Sequence, residues 1–236
     1  MLVVLTRELG LNDELRRWVG ARADAVEIPL TTTLYRSMDI VREEVRAGSH
    51  FGDFRSLVVT SARTARYAAV CRDALGEAAK VFSVGAATTR ALEREGLTVS
   101  ATSTGTALEL APLITEGPVL VLGAQGGRDD LASALERDRY SPVSVECYRT
   151  RGVELDAAAT ATLSRADVVF IGAPSAWRVA RAVVSKEAWI LVPGETTRDA
   201  VASDHQRVLV GWGEEFERAW GVLTSTSRDV PGSDDS

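Results

Sequence analysis

Three glycine-containing turns carry the residue types best suited to hold an anion. Val121-Leu122-Gly123-Ala124-Gln125-Gly126-Gly127-Arg128 runs from an apolar, strand-like stretch into glycines just ahead of a helical pattern. Such a turn exposes backbone amides at a helix N-terminus, where the aligned peptide dipoles favour negative charge. Val84-Gly85-Ala86-Ala87-Thr88-Thr89 and Val192-Pro193-Gly194-Glu195-Thr196-Thr197 each pass from an apolar stretch through a glycine to a Thr-Thr pair at a helix start. Glycine lets backbone approach a ligand closely, and the threonines place hydroxyls beside the amides of the next helix. Neither the Gly-x-Gly-x-x-Gly fingerprint nor a glycine loop ending in Gly-Lys-Ser/Thr is present, so no nucleotide cofactor is expected.

The elements that position these turns follow from short runs rich in valine and leucine, at residues 2–5, 25–30, 57–59, 80–84, 119–122, 143–147, 167–171, 189–192 and 208–210. Runs without polar alternation suit strands buried on both faces. Helical patterns lie between many of them, at residues 12–23, 62–74, 86–95, 105–114, 128–138, 175–184 and 196–202. Asn12, Ser61, Thr88, Thr106, Ser175 and Thr196 put a short side-chain oxygen at or near a first turn, as helix caps do. Alternation at this pitch implies βαβ units, parallel sheets and right-handed crossovers, hence an α/β fold of doubly wound type.

The pattern also occurs twice. Val4-Leu5-Thr6-Arg7 leads through Asn12-Asp13-Glu14-Leu15 to Leu34-Tyr35-Arg36, as Val121-Leu122-Gly123 leads through Arg128-Asp129-Asp130-Leu131 to Cys147-Tyr148-Arg149. Leu57-Val58-Val59-Thr60-Ser61-Ala62-Arg63 followed by Val84-Gly85 is echoed by Val168-Val169-Phe170-Ile171-Gly172-Ala173-Pro174-Ser175 followed by Val192-Pro193-Gly194. Two similar modules are expected, each with polar turns at strand C-terminal ends and with a cleft between them as the ligand site. Residues 31–36 and 145–151 are β-prone and polar, so they are expected to pair as a two-stranded connector. From Thr224 on, apolar content is too low to pack, and disorder is expected there.

Composition narrows the classes further. With 236 residues the chain accommodates two modest domains, and a net charge of −6 argues against a nucleic-acid surface. Cys71 and Cys147 are far apart and form no Cys-x-x-Cys pair, which fits a reducing cytoplasm rather than a disulfide scaffold or a metal site. His50 and His205 are the two histidines, both in polar surroundings, and both are expected at the surface rather than on a metal. The opening apolar run ends at Thr6-Arg7-Glu8, and no stretch approaches a membrane span, so neither export nor membrane association is expected.

The sequence resembles the uroporphyrinogen-III synthase family. The resemblance rests on Leu5-Thr6-Arg7, Val59-Thr60-Ser61-Ala62-Arg63, Ser83-Val84-Gly85-Ala86-Ala87-Thr88, residues 93–96, residues 122–128, Val145-Glu146-Cys147-Tyr148-Arg149 and Pro193-Gly194-Glu195-Thr196-Thr197, in family order. It implies a cofactor-free lyase that takes linear hydroxymethylbilane, eliminates its terminal hydroxyl as water and closes the macrocycle with inversion of the last pyrrole ring. It implies two flavodoxin-like domains joined by a two-stranded ladder, here residues 1–35 with 152–223 and an inserted 36–151. Tyr148 stands where the family carries a tyrosine, and a phenol can donate a proton. Thr60, Ser61, Arg63, Gly85, Thr88, Gly123, Ser175, Thr196 and Thr197 become candidate binders of the substrate's propionates and acetates, with Arg7 and Arg128 adding charge. The resemblance further implies a monomer in transient contact with hydroxymethylbilane synthase.

Departures from the family pattern also stand out. Ala173 precedes Pro174 where the family usually has a hydroxyl residue, Val192-Pro193-Gly194 replaces a commoner Ile-Gly-Pro turn, and Asp204-His205-Gln206 stands where a glycine is usual. A non-catalytic two-domain binder of a polyanion is the rival reading, because each turn could hold anions without doing chemistry. A phosphoacceptor receiver domain would need acids at the end of the first strand, where Thr6-Arg7 stands instead.

Overall fold

The apolar runs become strands of two mostly parallel sheets in the computed structural model, which describes residues 1–49, 53–127 and 130–226. The chain divides into two compact units, Met1–Thr32 with the chain from Arg151 on, and Thr33–Thr150. It passes between them within two strands, β3 and β8, defined below.

In the first unit, β1 (Leu2–Leu5), β2 (Asp24–Glu27), β9 (Val168–Phe170), β10 (Trp189–Val192) and β11 (Val208–Val210) form a sheet of order β11-β10-β9-β1-β2. All its pairings are parallel. Val3, Val4 and Leu5 are fully buried because helices cover both faces. On one face lie α6 (Ala157–Ser164), α7 (Pro174–Ala180) and α8 (Glu195–Ala202), which supply Leu163, Trp177 and Val201 to one core. On the other lie α1 (Asp13–Val19) and α9 (Phe216–Thr226), with Leu15, Phe216 and Trp220 against Val3, Leu5 and Leu191.

In the second unit, β3 (Thr31–Tyr35), β4 (Phe54–Val59), β5 (Leu75–Val84), β6 (Ala101–Ser103), β7 (Val119–Ala124) and β8 (Pro142–Gly152) are ordered β3-β8-β7-β4-β5-β6. One face buries Val41 and Val45 of α2 (Met38–Gly48), Tyr67 of α3 (Ala65–Val70) and Leu92 of α4 (Ala86–Arg94). The other buries Leu131 and Leu135 of α5 (Asp130–Arg137) and Leu110 of a 3₁₀ segment, Ala107–Leu113. Pro112 lies in that segment and offers no amide for a continuing α-helical ladder.

The internal repeat extends to sheet order. Pairing the repeat-related strands, β1 with β7, β2 with β8, β9 with β4, β10 with β5 and β11 with β6, turns the order β2-β1-β9-β10-β11 into β8-β7-β4-β5-β6. The two sheets therefore share one spatial order with the chain entering at different strands. In each, strand succession reverses direction once, between β1 and β9 and between β4 and β7, and α/β sheets bind ligands at such switch points.

Several expected elements differ in extent. β3 and β8 are sheet neighbours, as the connector reading expects, with the Arg36 amide donating to the Cys147 carbonyl at 3.0 Å. The helical pattern at 62–74 breaks into a 3₁₀ turn, α3 and a second 3₁₀ turn. Residues 224–226 belong to α9 rather than to a disordered tail, because Phe216, Ala219, Trp220 and Leu223 form a buried stripe that carries the last turn along. The remainder of the expected tail lies outside the described residues.

Leu191 is fully buried in the middle of the first sheet. Leu191→Ala should destabilise the first unit by about 2–5 kcal/mol. The measurement is amide hydrogen exchange: protection should fall across β1, β9 and β10 while β4 and β7 keep theirs.

Candidate functional site

In the second unit the sequence-derived residues collect at the C-terminal ends of adjacent strands. Thr60 and Ser61 follow β4, Gly123 lies near the end of β7, Gly85 follows β5, and Tyr148 lies on β8. Thr60 binds back to the neighbouring strand: its amide and its hydroxyl both donate to the Leu122 carbonyl, at 3.1 and 3.2 Å. A Cβ on Gly123 would come within 2.9 Å of Thr60 Oγ1, so close approach of these two strand ends requires glycine there. Ser61 caps the following turn by accepting from the Arg63 amide at 3.3 Å.

Tyr148 pairs with Ala124 after a register shift between Gly123 and Ala124. Such a bulge re-aims side chains and ends regular pairing. The Tyr148 carbonyl accepts from the Gln125 amide at 2.7 Å, which ties the glycine turn to the strand carrying the phenol. Its side chain is only 6% exposed. The Arg63 guanidinium lies over its ring at 5.8 Å from the centroid, and the Tyr35 ring lies at 6.2 Å. A pocket of about 690 Å³ opens here, lined among others by Tyr35, Arg36, Gln125, Glu146 and Tyr148. Burial pushes the Cys147 thiol, next to Tyr148, up to about 12 and that of Cys71 to about 11, so neither is a nucleophile at neutral pH.

The turn amides already hold carboxylates of the protein itself. Glu146 accepts from the Gly126 amide at 3.1 Å. Glu109 accepts from the amides of Thr104, Gly105 and Thr106 at 3.3, 3.2 and 2.9 Å, in the turn after β6. These amide hydrogen bonds, from Thr106 and Gly105 foremost, hold the Glu109 carboxyl below its usual range. Composition alone does not reveal either acid, although Glu109 three residues after Thr106 is a readable capping-box spacing.

At Gly85 the backbone adopts φ +76°, a conformation that favours glycine. The Gly85 carbonyl accepts from the amides of Thr88 and Thr89 at 3.0 and 3.2 Å. Thr88 is 3% exposed and faces the interior. The hydroxyls grouped at this turn are instead those of Ser83, Thr89 and Thr102, mutually bonded at 2.7, 3.1 and 2.8 Å. Thr102 lies on β6, whose three residues are too few to give a strand pattern in the sequence.

The first unit repeats this arrangement. Arg7 follows β1, Gly172 and Ser175 follow β9, and Gly194 follows β10. The Arg7 guanidinium lies 5.8 Å from the Trp212 ring centroid. Trp212 packs over Gly172, where a Cβ would stand 3.2 Å from its ring, and its indole donates to the Leu191 carbonyl at 3.3 Å. Ser175 is half-buried in the first turn of α7, and Ala173 at the cap has no side-chain oxygen to offer. Thr197 is buried and donates its amide to the Gly194 carbonyl at 3.2 Å, as Thr88 does to Gly85, so these two threonines are the structural equivalents. Thr196 is exposed.

Arg128 and His50 lie outside the described residues. His205, expected at the surface, is instead 2% exposed: its Nε2 bonds the Ala188 carbonyl at 2.8 Å and its ring packs edge-on to Trp177. Van der Waals packing under α7 overrides the polar sequence around it.

The Glu109 shift has a definite sign. A depressed carboxyl stabilises its turn above the ordinary value of 4.5 and loses that contribution as pH falls through the lowered value. Hydrogen exchange at the Thr104, Gly105 and Thr106 amides, corrected for intrinsic rates, should therefore lose protection on acidification. In Glu109→Gln this pH dependence should disappear.

A family model for uroporphyrinogen-III synthase HemD matches residues 17–211. The fold is similar to that of a mutant uroporphyrinogen III synthase from the extremely thermophilic bacterium Thermus thermophilus, with a TM-score of 0.63 and 19% identity over 97% of this chain and 98% of that one. It is equally similar to uroporphyrinogen-III synthetase from Helicobacter pylori, with a TM-score of 0.63 and 13% identity over 95% and 98%. No curated protein matches the chain. At these identities the structural likeness is one of fold, while the family model spans most of the sequence: the chain belongs to the uroporphyrinogen-III synthase family.

Proposed function

We propose that the chain is a hydro-lyase that cyclises hydroxymethylbilane to uroporphyrinogen III in tetrapyrrole biosynthesis, with Tyr148 as proton donor. The family match over residues 17–211 carries this reading. Proton donation converts the substrate's terminal hydroxyl into departing water, and the adjoining electron-rich pyrrole stabilises the methylene cation left behind. Closure and inversion of the last ring form the macrocycle, and the proton released on rearomatisation completes the balance.

The strand-end turns support the binding half of this proposal. In the second unit substrate carboxylates are offered the helix-leading amides after Gly85 and, in exchange for Glu146, the Gly126 amide; in the first unit they are offered those after Gly194. Thr60, Ser61 and Arg63 border one switch point, while Arg7 and Ser175 border the other. Each dipole-assisted contact contributes roughly 0.3–1 kcal/mol, so several together hold a polyanion without a basic surface. Thr88 and Thr197 are assigned to shaping their turns, and Thr89 and Thr196 to offering hydroxyls. The mechanism needs no cofactor, and action as a cytoplasmic monomer in transient contact with hydroxymethylbilane synthase belongs to the same proposal. No described helix is long and apolar enough to cross a membrane.

Incubation with freshly generated hydroxymethylbilane tests the function directly. Type III product is expected, whereas type I isomer alone would mark a non-catalytic binder. Tyr148→Phe should lower turnover at least about tenfold while leaving the fold intact. Near-normal turnover would remove Tyr148 from the mechanism.

A further inference from the structure

Tyr148 does not stand alone in its unit. Its ring is flanked by the Arg63 guanidinium at 5.8 Å and by the Tyr35 ring at 6.2 Å, tilted by 48°. On Tyr35 lies a second guanidinium, that of Arg66, only 4.0 Å from the ring centroid. The four side chains thus form a stack in the order Arg63, Tyr148, Tyr35, Arg66. The cations at its two ends come from one short stretch of chain, a 3₁₀ turn (Ala62–Thr64) and α3. Its two rings come from neighbouring strands, β8 and β3.

The two rings of the stack differ in exposure. Tyr148 is 6% exposed, whereas Tyr35 is 46% exposed on β3, an edge strand of the sheet. An exposed edge-strand tyrosine keeps its rotamer freedom unless something holds its face, and a guanidinium at contact distance does so through the ring quadrupole. Arg66 is itself anchored. Its Nη2 donates to Tyr67 Oη at 3.3 Å, and Tyr67, fully buried, donates its hydroxyl to the Arg36 carbonyl at 2.7 Å. Arg36 is the residue after Tyr35, so a closed circuit runs from β3 through Tyr67 and Arg66 back to the Tyr35 ring. Arg36 is also held, donating to Glu44 at 2.8 Å and to the Glu146 carbonyl at 2.9 Å.

We infer that Arg66 and Tyr35 are positioning residues that set the orientation of the Tyr148 ring. The inference rests on the reading of Tyr148 as proton donor and adds what aims it. A donor must meet its acceptor within hydrogen-bond geometry, and small misplacements of a reacting group cost rate rather than affinity. Loss of the stack should therefore appear in kcat and leave KM nearly unchanged.

The test combines kinetics with ¹⁹F NMR of protein carrying 3-fluorotyrosine at its four tyrosines, the Tyr148 resonance being the one lost in Tyr148→Phe. Arg66→Met and Tyr35→Leu should each move the Tyr148 resonance and lower kcat about threefold or more, with KM within about twofold. Tyr35→Phe, which keeps the ring, should leave the resonance in place and restore most of kcat. A Tyr148 resonance unmoved in both disrupting variants overturns the inference, as does a moved resonance with unchanged kcat. If Tyr148→Phe is inactive and the resonance is unmoved, the stack alone fails. If Tyr148→Phe is fully active, the donor reading falls and takes the catalytic meaning of the stack with it.

Discussion

Backbone amides at the C-terminal ends of parallel strands are the groups around which the rest of this molecule is arranged. A parallel sheet brings several strand ends to one edge, and each following helix begins with amides that have no intrahelical partner. Those donors need acceptors, and the protein supplies some of them: Glu109 takes three amides in one turn and Glu146 takes one in another. A turn that seats a side-chain carboxylate has the geometry to seat a substrate carboxylate, which is how an acidic chain can serve a polyanionic substrate.

The same constraint explains why the two units look alike where they matter. Five strands of each sheet have the same spatial order although the chain enters them at different strands, and β3 is added at one edge of the second. What is retained is the switch point and its flanking turns: Arg7 and Gly172 in one unit, Gly123 and Thr60 in the other. Glycine recurs for two separate reasons. At Gly85 the backbone itself is left-handed, while at Gly123 and Gly172 a neighbouring strand or indole stands where a Cβ would be.

Much of this was readable from the chain. Valine-rich runs marked most strands, and their repetition marked the correspondence of β1 with β7 and β9 with β4. Short elements were harder: β6 has three residues, and α2 buries only Val41 and Val45, too thin a stripe to stand out. Phe216, Ala219, Trp220 and Leu223 have helical spacing, yet the expected helices end at residue 202 and leave α9 out. Around the candidate site, the turns and Tyr148 can be named from the sequence, while the contacts that support them cannot. Trp212 over Arg7, Thr102 beside Thr89, and Arg66 on Tyr35 are all contacts between residues distant in sequence, which only folding brings together.

Backbone amide chemical shifts followed during titration with uroporphyrinogen III under anaerobic conditions test the role of these turns most directly. Saturable shifts at the amides following Gly85, at Gly126 and following Gly194 are expected, because those donors would exchange their present acceptors or water for product carboxylates. Tight product binding that left all three turns unperturbed would contradict it.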